Sequence, residues 1–160
     1  MTADTDYLIG QTRVLTMPEQ PFFYVISAPT VMASLDNELN RLIPLLEAAQ
    51  AEAHVGDGAP VIIRYYPTGE ADMYLMEVGI PVKPGTQPAG EAQVKTLPPY
   101  HCASLLYWGS LEHIQEAYGA LMQAIKDVGL AQGPDSREWY YHFEGDTSPN
   151  NIIGLHIEIQ

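Results

Sequence analysis

Two segments of the chain place apolar residues at the three- and four-residue spacing of an amphipathic helix. In the second segment, Ser110 is suited to cap the helix and Gly129 supplies a C-terminal stop. The apolar stripe between them consists of Leu111, Ile114, Tyr118, Leu121, Met122 and Ile125. The first segment carries the stripe Leu35, Leu39, Leu42, Ile43, Leu46 and Ala49. Pro44 lies within that stripe and should kink or restart the helix, because proline lacks an amide donor and clashes with the preceding turn.

Stretches typical of β-strands surround both helices in the same order. One strand precedes each helix, at 22–26 and 103–108, and two follow it, at 61–66 and 73–82 and then at 138–143 and 152–159. A short motif also repeats, since Val-Leu-Thr-Met-Pro at 14–18 resembles Val-Lys-Thr-Leu-Pro at 94–98. The pattern predicts an α+β fold of duplicated β-α-β-β units with pseudo-twofold symmetry, antiparallel sheets and two main helices on the outer face.

Glycine and proline divide the chain into these repeated parts. We expect an N-terminal extension at 1–10 and a single domain at 11–160. Within that domain, the halves are predicted at about 11–83 and 91–160, joined by a Pro- and Gly-rich linker at 84–90. A further turn is predicted at Gly133-Pro134-Asp135.

The last strand of each half has two distinct faces, because side chains alternate along a strand. The predicted core-facing rows are Tyr74, Met76, Val78, Ile80 and Val82 in one half, and Ile153, Leu155, Ile157 and Ile159 in the other. The opposite face carries Glu77 and Gly79, and in the second half Gly154, His156 and Glu158. Two helices leave that face uncovered, so the halves can curve into a concave groove. A carboxylate there is either an exposed strand residue or a group aimed into a pocket.

Charge and composition narrow the classes of partner. The 160 residues include 20 Asp and Glu against 7 Lys and Arg, which gives a net charge of −13. That balance argues against direct nucleic-acid binding and against docking on a membrane. Acidic residues together with ten tyrosines and two tryptophans suit a cationic or planar aromatic small molecule, although the same charge also serves solubility.

The remaining composition excludes several kinds of chemistry. A single cysteine, Cys102, rules out an internal disulfide framework, and the five histidines lack the close spacing of a metal site. No metal and no cofactor are therefore expected. The start of the chain has no secretory signal, and no apolar run approaches the roughly 18 residues that span a bilayer. We therefore expect a cytoplasmic location.

The chain resembles the GyrI-like family, also called the bacterial effector-binding domain. The resemblance is carried by GAPVIIRYY at 58–66, MEVGIPV at 76–82, VKTLP at 94–98, YWG at 107–109, AYGAL at 117–121, SREWY at 136–140 and the terminal strand. It implies a groove that binds small molecules, often aromatic cations held by rings and a buried glutamate. One departure is Gly154, which stands where many members have a glutamate, and another is Glu158, where a proline is common.

The leading hypothesis is a stand-alone protein that senses or sequesters a hydrophobic, cationic or planar aromatic compound. Its predicted ligand-binding residues are Glu77, Tyr65, Tyr107, Trp108, Trp139, Tyr140 and His156. One of each tyrosine pair, 65–66 and 140–141, must face the core, and the sequence leaves open which one.

Two alternatives follow from relatives that the resemblance brings in. The first is a hydrolase that opens strained cyclopropane rings of DNA-alkylating natural products, with Glu77, Glu138 and Tyr140 as candidate catalytic groups. The second is a protein-interaction module of the gyrase-antagonist type. About ten residues precede the first strand, so a role in transcription would need a separate regulatory protein as partner.

Overall fold

A computed structural model describes residues 7–56 and 58–160 of the chain. The strands are β1 (Leu8–Ile9), β2 (Arg13–Met17), β3 (Gln20–Ile26), β4 (Thr30–Val31), β5 (Val61–Pro67), β6 (Met73–Pro81), β7 (Gln93–Leu97), β8 (Tyr100–Trp108), β9 (Gln132–His142) and β10 (Ile152–Ile159). The helices are α1 (Leu35–Ala53) and α2 (Ile114–Asp127), each preceded by one 3₁₀ turn, Met32–Ser34 and Leu111–His113. This is the α+β fold that the sequence predicts.

The chain forms two compact units. The central unit is Pro18–Tyr100, and the terminal unit combines residues 7–17 with His101–Gln160. These units differ from the halves predicted at 11–83 and 91–160, because two strands pair outside their predicted half. Strand β7 pairs antiparallel with β3, and β2 pairs with β8. Which strand a segment pairs with depends on side chains distant in sequence, so the pattern of turns alone does not determine it.

The central unit is an antiparallel sheet, in the order β5-β6-β3-β7, with the short β4 also paired to β6. Helix α1 packs against β6 and β3 through an apolar stripe. The buried residues of that stripe are Leu35, Leu42, Leu46 and Ala49. Pro44 does not end the helix, which runs unbroken through it. Pro44 lies on the exposed side, and so does Asn40, where water can satisfy the carbonyl that loses its donor.

The terminal unit has strand order β1-β8-β10-β9, with β2 as a further partner of β8. Its core lies between the sheet and α2. The buried cluster consists of Ala103, Leu105, Tyr107, Ala117, Leu121, Ile125, Ile153, Leu155, Ile157 and Ile159. The Ser110 side chain accepts a hydrogen bond from the Glu112 amide, and Gly129 has φ +73° just after the helix. Ser110 thus caps the 3₁₀ turn that leads into α2, and Gly129 follows the end of the helix as predicted.

The turn predicted at Gly133-Pro134-Asp135 is wrong, because these residues lie inside β9. The register between β9 and β10 shifts between Ile157 and Ile159, and the Asp135 amide donates to the Glu158 carboxylate instead of to a backbone carbonyl (3.0 Å). An irregular ladder of this kind tolerates a proline that has no donor to contribute.

Candidate functional site

Glu77 is fully buried in the central unit and accepts three side-chain hydrogen bonds. One oxygen, Oε1, accepts from Arg64 (2.8 Å), and Oε2 accepts from the Tyr66 hydroxyl (2.7 Å) and from Lys95 Nζ (2.6 Å). Burial and the hydrogen bond to Glu77 raise the pKa of Tyr66 to about 12, so its hydroxyl stays a donor. The Glu77 charge is therefore already compensated by side chains of its own unit.

Aromatic rings cover the same face of the central sheet. Phe22 and Tyr24 stack with ring centroids 5.3 Å apart, and Lys95 Nζ lies 4.5 Å from the Tyr24 ring centroid. Gly79 leaves the space for this stack, since a Cβ at that position would lie 2.3 Å from the Phe23 carbonyl oxygen and 2.7 Å from the Phe22 ring. The central unit thus fills this face with its own rings and ion pairs.

The corresponding face of the terminal unit is open, and it borders a cavity of about 650 Å³. The lining combines residues 10–17 with the side of β8, β9 and β10 that faces away from α2. The lining residues are Gly10, Gln11, Arg13, Leu15, Met17, Ser104, Leu105, Leu106, Trp108, Tyr141, Ile152, Gly154 and His156. Most of these described lining residues are apolar or aromatic, and none of them is a carboxylate, so the cavity is suited to a hydrophobic guest.

His156 is the polar group buried in this lining, with only 5% of its surface exposed. Burial, and secondarily the charge of Arg137, lower its pKa to about 4, so the ring is neutral near pH 7. Its Nδ1 lies 3.9 Å from Cys102 Sγ, whereas Nε2 has no hydrogen-bond partner among the described residues. Burial also raises the pKa of the Cys102 thiol to about 11.

Gly154 lies beside this unpartnered nitrogen. A Cβ at position 154 would sit 3.1 Å from His156 Nε2 and 3.1 Å from the edge of the Tyr141 ring. The neighbouring Trp139 ring is tilted against His156, with centroids 6.2 Å apart, and its buried Nε1 likewise lacks an acceptor within the described chain. The absent side chain at Gly154 therefore leaves space beside the unpartnered Nε2 of His156.

Arg137, next to His156 in the ladder between β9 and β10, holds its charge in a two-point contact with Asp135. The two bonds run from Nε at 3.2 Å and Nη2 at 2.8 Å. The pair is buried, and it fixes the cationic side chain of Arg137 on the strand that pairs with His156.

The structure separates the residues predicted to bind a ligand into three groups. Trp108 and His156 line the cavity, and Trp139 lies on the same face beside Gly154. Glu77 belongs to the buried network of the central unit. The rest lie on the helix-packed faces: Tyr65, Tyr107, Tyr140 and the catalytic candidate Glu138.

Their contacts explain this placement. Tyr65 is in register with Met76, whereas Tyr66 is on the Glu77 side. The Tyr107 hydroxyl donates to the Ser110 carbonyl, and Glu138 accepts from the hydroxyls of Tyr118 on α2 and of Tyr140. These contacts tie Tyr107, Tyr140 and Glu138 to the helix side of the terminal unit.

Several residues of the two faces were not predicted from the sequence. They are Arg64, Tyr66 and Lys95 around Glu77, and Tyr141 with the 10–17 segment around the cavity. Alternation along the strands predicts that one tyrosine of each pair faces this side. It does not predict which one, because that depends on the register with the partner strand.

Within residues 7–56 and 58–160, no group of three or more His, Cys, Asp or Glu side chains is arranged to hold a metal ion. No helix in the described ranges is long and apolar enough to cross a membrane.

The cavity, apolar and open on one sheet face, defines a small-molecule-binding domain. The chain matches the family model of the GyrI-like small molecule binding domain over residues 11–159, and it belongs to that family. No curated protein sequence matches it significantly.

Solved structures show the same fold at low sequence identity. The C-terminal domain of EcmrR has 16% identity and a TM-score of 0.70, with 94% of this chain and 98% of that chain covered. SAV2435, solved bound to tetraphenylphosphonium, has 12% identity and a TM-score of 0.70, with 94% of each chain covered. A hydrolase from Listeria innocua has 8% identity and a TM-score of 0.61, with 94% of this chain and 92% of that chain covered.

Proposed function

We propose that this protein binds a hydrophobic aromatic small molecule in the cavity of the terminal unit, as a sensor or sequestering protein. The observation that carries the proposal is the cavity itself, which has a volume of about 650 Å³ and an apolar lining. Volumes of about 300–1,000 Å³ are typical of sites for small organic ligands. Trp108 and Tyr141 supply aromatic surface, and Leu106 and Ile152 supply aliphatic surface.

The strength of such binding follows from the area that a ligand would bury. A ligand of three fused rings that loses about 200 Å² of apolar surface gains about 5 kcal/mol at 25 cal/mol per Å². Ring-on-ring contact adds about 1 kcal/mol, and ordering of ligand and side chains removes part of the gain. We therefore expect dissociation constants between about 50 μM and 1 mM.

A positive charge on the ligand has less support from this site than the family resemblance implies. Glu77, the proposed counter-ion, already accepts from Arg64, Tyr66 and Lys95. The described cavity lining holds Arg13 and no carboxylate. The net charge of −13 still attracts cations at long range, an effect that salt screens. SAV2435 bound to tetraphenylphosphonium supports an aromatic guest, so that cation belongs in the first set of probes.

Calorimetric titration of the purified chain with tetraphenylphosphonium and with neutral N-phenyl-1-naphthylamine tests the proposal. Ser104 lines the cavity beside His156. Ser104→Phe places a ring in the cavity and should weaken both probes at least tenfold. The matched Ser104→Ala variant should stay within about twofold of the wild type, since it removes only a hydroxyl. Equal affinity of the wild type and a folded Ser104→Phe variant would place the binding elsewhere and end this proposal.

The hydrolase alternative needs a carboxylate that can orient water, and the described contacts offer less support for it. Glu77 is fully buried and holds three donors, and Glu138 faces α2. Incubation with a cyclopropane-bearing alkylator and mass spectrometry tests that activity directly, since hydrolysis adds one water to the compound.

A further inference from the structure

His156 is a buried polar residue whose Nε2 has no hydrogen-bond partner in the described chain. Its ring is 5% exposed, it lines the cavity, and Nε2 points to the space beside Gly154 without a partner. Leaving a buried nitrogen without a hydrogen-bond partner destabilises the fold. A buried group of this kind needs a specific explanation, and a ligand that supplies the missing partner is one. The position of the nitrogen thus marks the point where a ligand's polar atom would lie.

The surroundings of His156 disfavour a positive charge at that point. Burial opposes protonation of the ring, and the charge of Arg137 adds to that effect. A cationic group of a ligand placed at Nε2 would meet the same desolvation and the same repulsion. The ligand atom that meets His156 is therefore neutral or carries partial negative charge.

The contact with Cys102 indicates which nitrogen carries the proton. The thiol stays protonated, because its pKa is raised to about 11, and Sγ lies 3.9 Å from Nδ1. A weak S–H donor next to Nδ1 leaves that nitrogen as acceptor and puts the ring proton on Nε2. The unpartnered Nε1 of Trp139, whose ring adjoins His156, can only donate. The Nε2–H of His156 and the Nε1–H of Trp139 therefore both need a hydrogen-bond acceptor.

On the basis of the proposed function, we infer that the aromatic ligand carries a carbonyl oxygen, as in an aryl ketone or quinone, which accepts a hydrogen bond from His156 Nε2–H beside Gly154. The flat rings would lie against Trp108 and Tyr141, and the oxygen would occupy the space that a side chain at position 154 would fill. The inference concerns the ligand's polar group, whereas the proposed function concerns only the apolar cavity.

A matched pair of ligands tests the carbonyl hydrogen bond separately from apolar binding in the cavity. 9-Fluorenone and fluorene share a three-ring skeleton and differ by one carbonyl oxygen. We expect the wild type to bind fluorenone about fivefold to tenfold more tightly than fluorene, which corresponds to about one hydrogen bond. His156→Leu should remove this preference. His142→Leu, which changes an exposed histidine of β9, should keep the preference.

Nitrogen-15 spectra of the His156 ring give a second reading that does not depend on affinity. Fluorenone should move the Nε2 resonance and leave the ring neutral, whereas fluorene should leave it nearly unchanged. The stability of unliganded His156→Leu at pH 8 should equal or exceed that of the wild type, because the substitution removes an unsatisfied polar group.

The outcomes distinguish the carbonyl inference from the proposed function. Equal affinity for fluorenone and fluorene, or a preference that survives in His156→Leu, would overturn the carbonyl inference and leave the proposed function intact. Absence of binding for both compounds at 1 mM, the weak limit of about 4 kcal/mol, would overturn the proposed function and the inference with it.

Discussion

The buried neutral histidine makes the stability of this protein depend on pH in one defined window. Above pH 6.5, His156 is neutral in both the folded and the unfolded chain and contributes nothing. Its folded pKa is lowered to about 4, so between pH 6.5 and pH 4 only the unfolded chain takes up the proton. Stability must therefore fall as pH falls through this window, since the unfolded state binds more protons.

The magnitude follows from the two pKa values. At 1.36 kcal/mol per pH unit, the full difference between 6.5 and about 4 amounts to about 3 kcal/mol. Between pH 7 and pH 5, the partial titration of the unfolded chain gives about 2 kcal/mol. For a domain of this size, a urea m-value of about 2 kcal/mol/M turns that loss into a shift of about 1 M in the midpoint.

Urea unfolding at pH 7, 6 and 5, followed by circular dichroism, measures the effect. His156→Leu should lose about 2 kcal/mol less stability than the wild type over this range, because leucine takes up no proton. Ser104→Ala, which keeps His156 and its surroundings, should follow the wild type. Parallel pH profiles for the wild type and His156→Leu would refute the assignment of a neutral, desolvated imidazole.

Three further substitutions test the packing that holds both units. Glu77→Gln should lower the free energy of unfolding by about 3 kcal/mol, because Arg64, Tyr66 and Lys95 lose a charged acceptor. Chemical denaturation measures this change, and a loss below about 1 kcal/mol would contradict the buried network around Glu77. Gly79→Ala should cost at least about 3 kcal/mol, because its methyl would lie 2.3 Å from the Phe23 carbonyl; a melting curve like the wild type's would count against this close approach. Ser110→Ala should cost about 1 kcal/mol, because the hydroxyl that accepts from the Glu112 amide is lost. Ser110→Thr keeps a capping hydroxyl and serves as the control in thermal melts; equal stability of the two variants would contradict a role for the cap.

Local signals predicted a large part of the fold. Ser110 and Gly129 mark the two ends of the helical segment that contains α2, and each signal depends only on residues close to it in the sequence. Strand alternation correctly puts His156 on the face opposite Leu155, which is the face that borders the cavity. Both signals act within a few residues, which is why they could be read from the sequence.

Long-range contacts were harder to predict. Glu77 was expected to offer a free charge, yet its donors come from positions 64, 66 and 95, on two other strands. Tyr65 was predicted to face the ligand, yet pairing with β6 puts Tyr66, and not Tyr65, on the Glu77 side. A register is fixed by the whole sheet, and a one-residue shift exchanges every face.

Cys102 gives the terminal unit an internal reporter. The chain has one thiol, its side chain is fully buried, and its pKa is raised to about 11, so almost no reactive thiolate is available near pH 7. A disulfide reagent in solution can therefore modify it only when β8 separates from its neighbours. The rate of modification, divided by that of the unfolded chain, measures how often the sheet opens. A ligand bound over His156 should slow that rate in proportion to its occupancy, so one natural cysteine reports binding without any attached label.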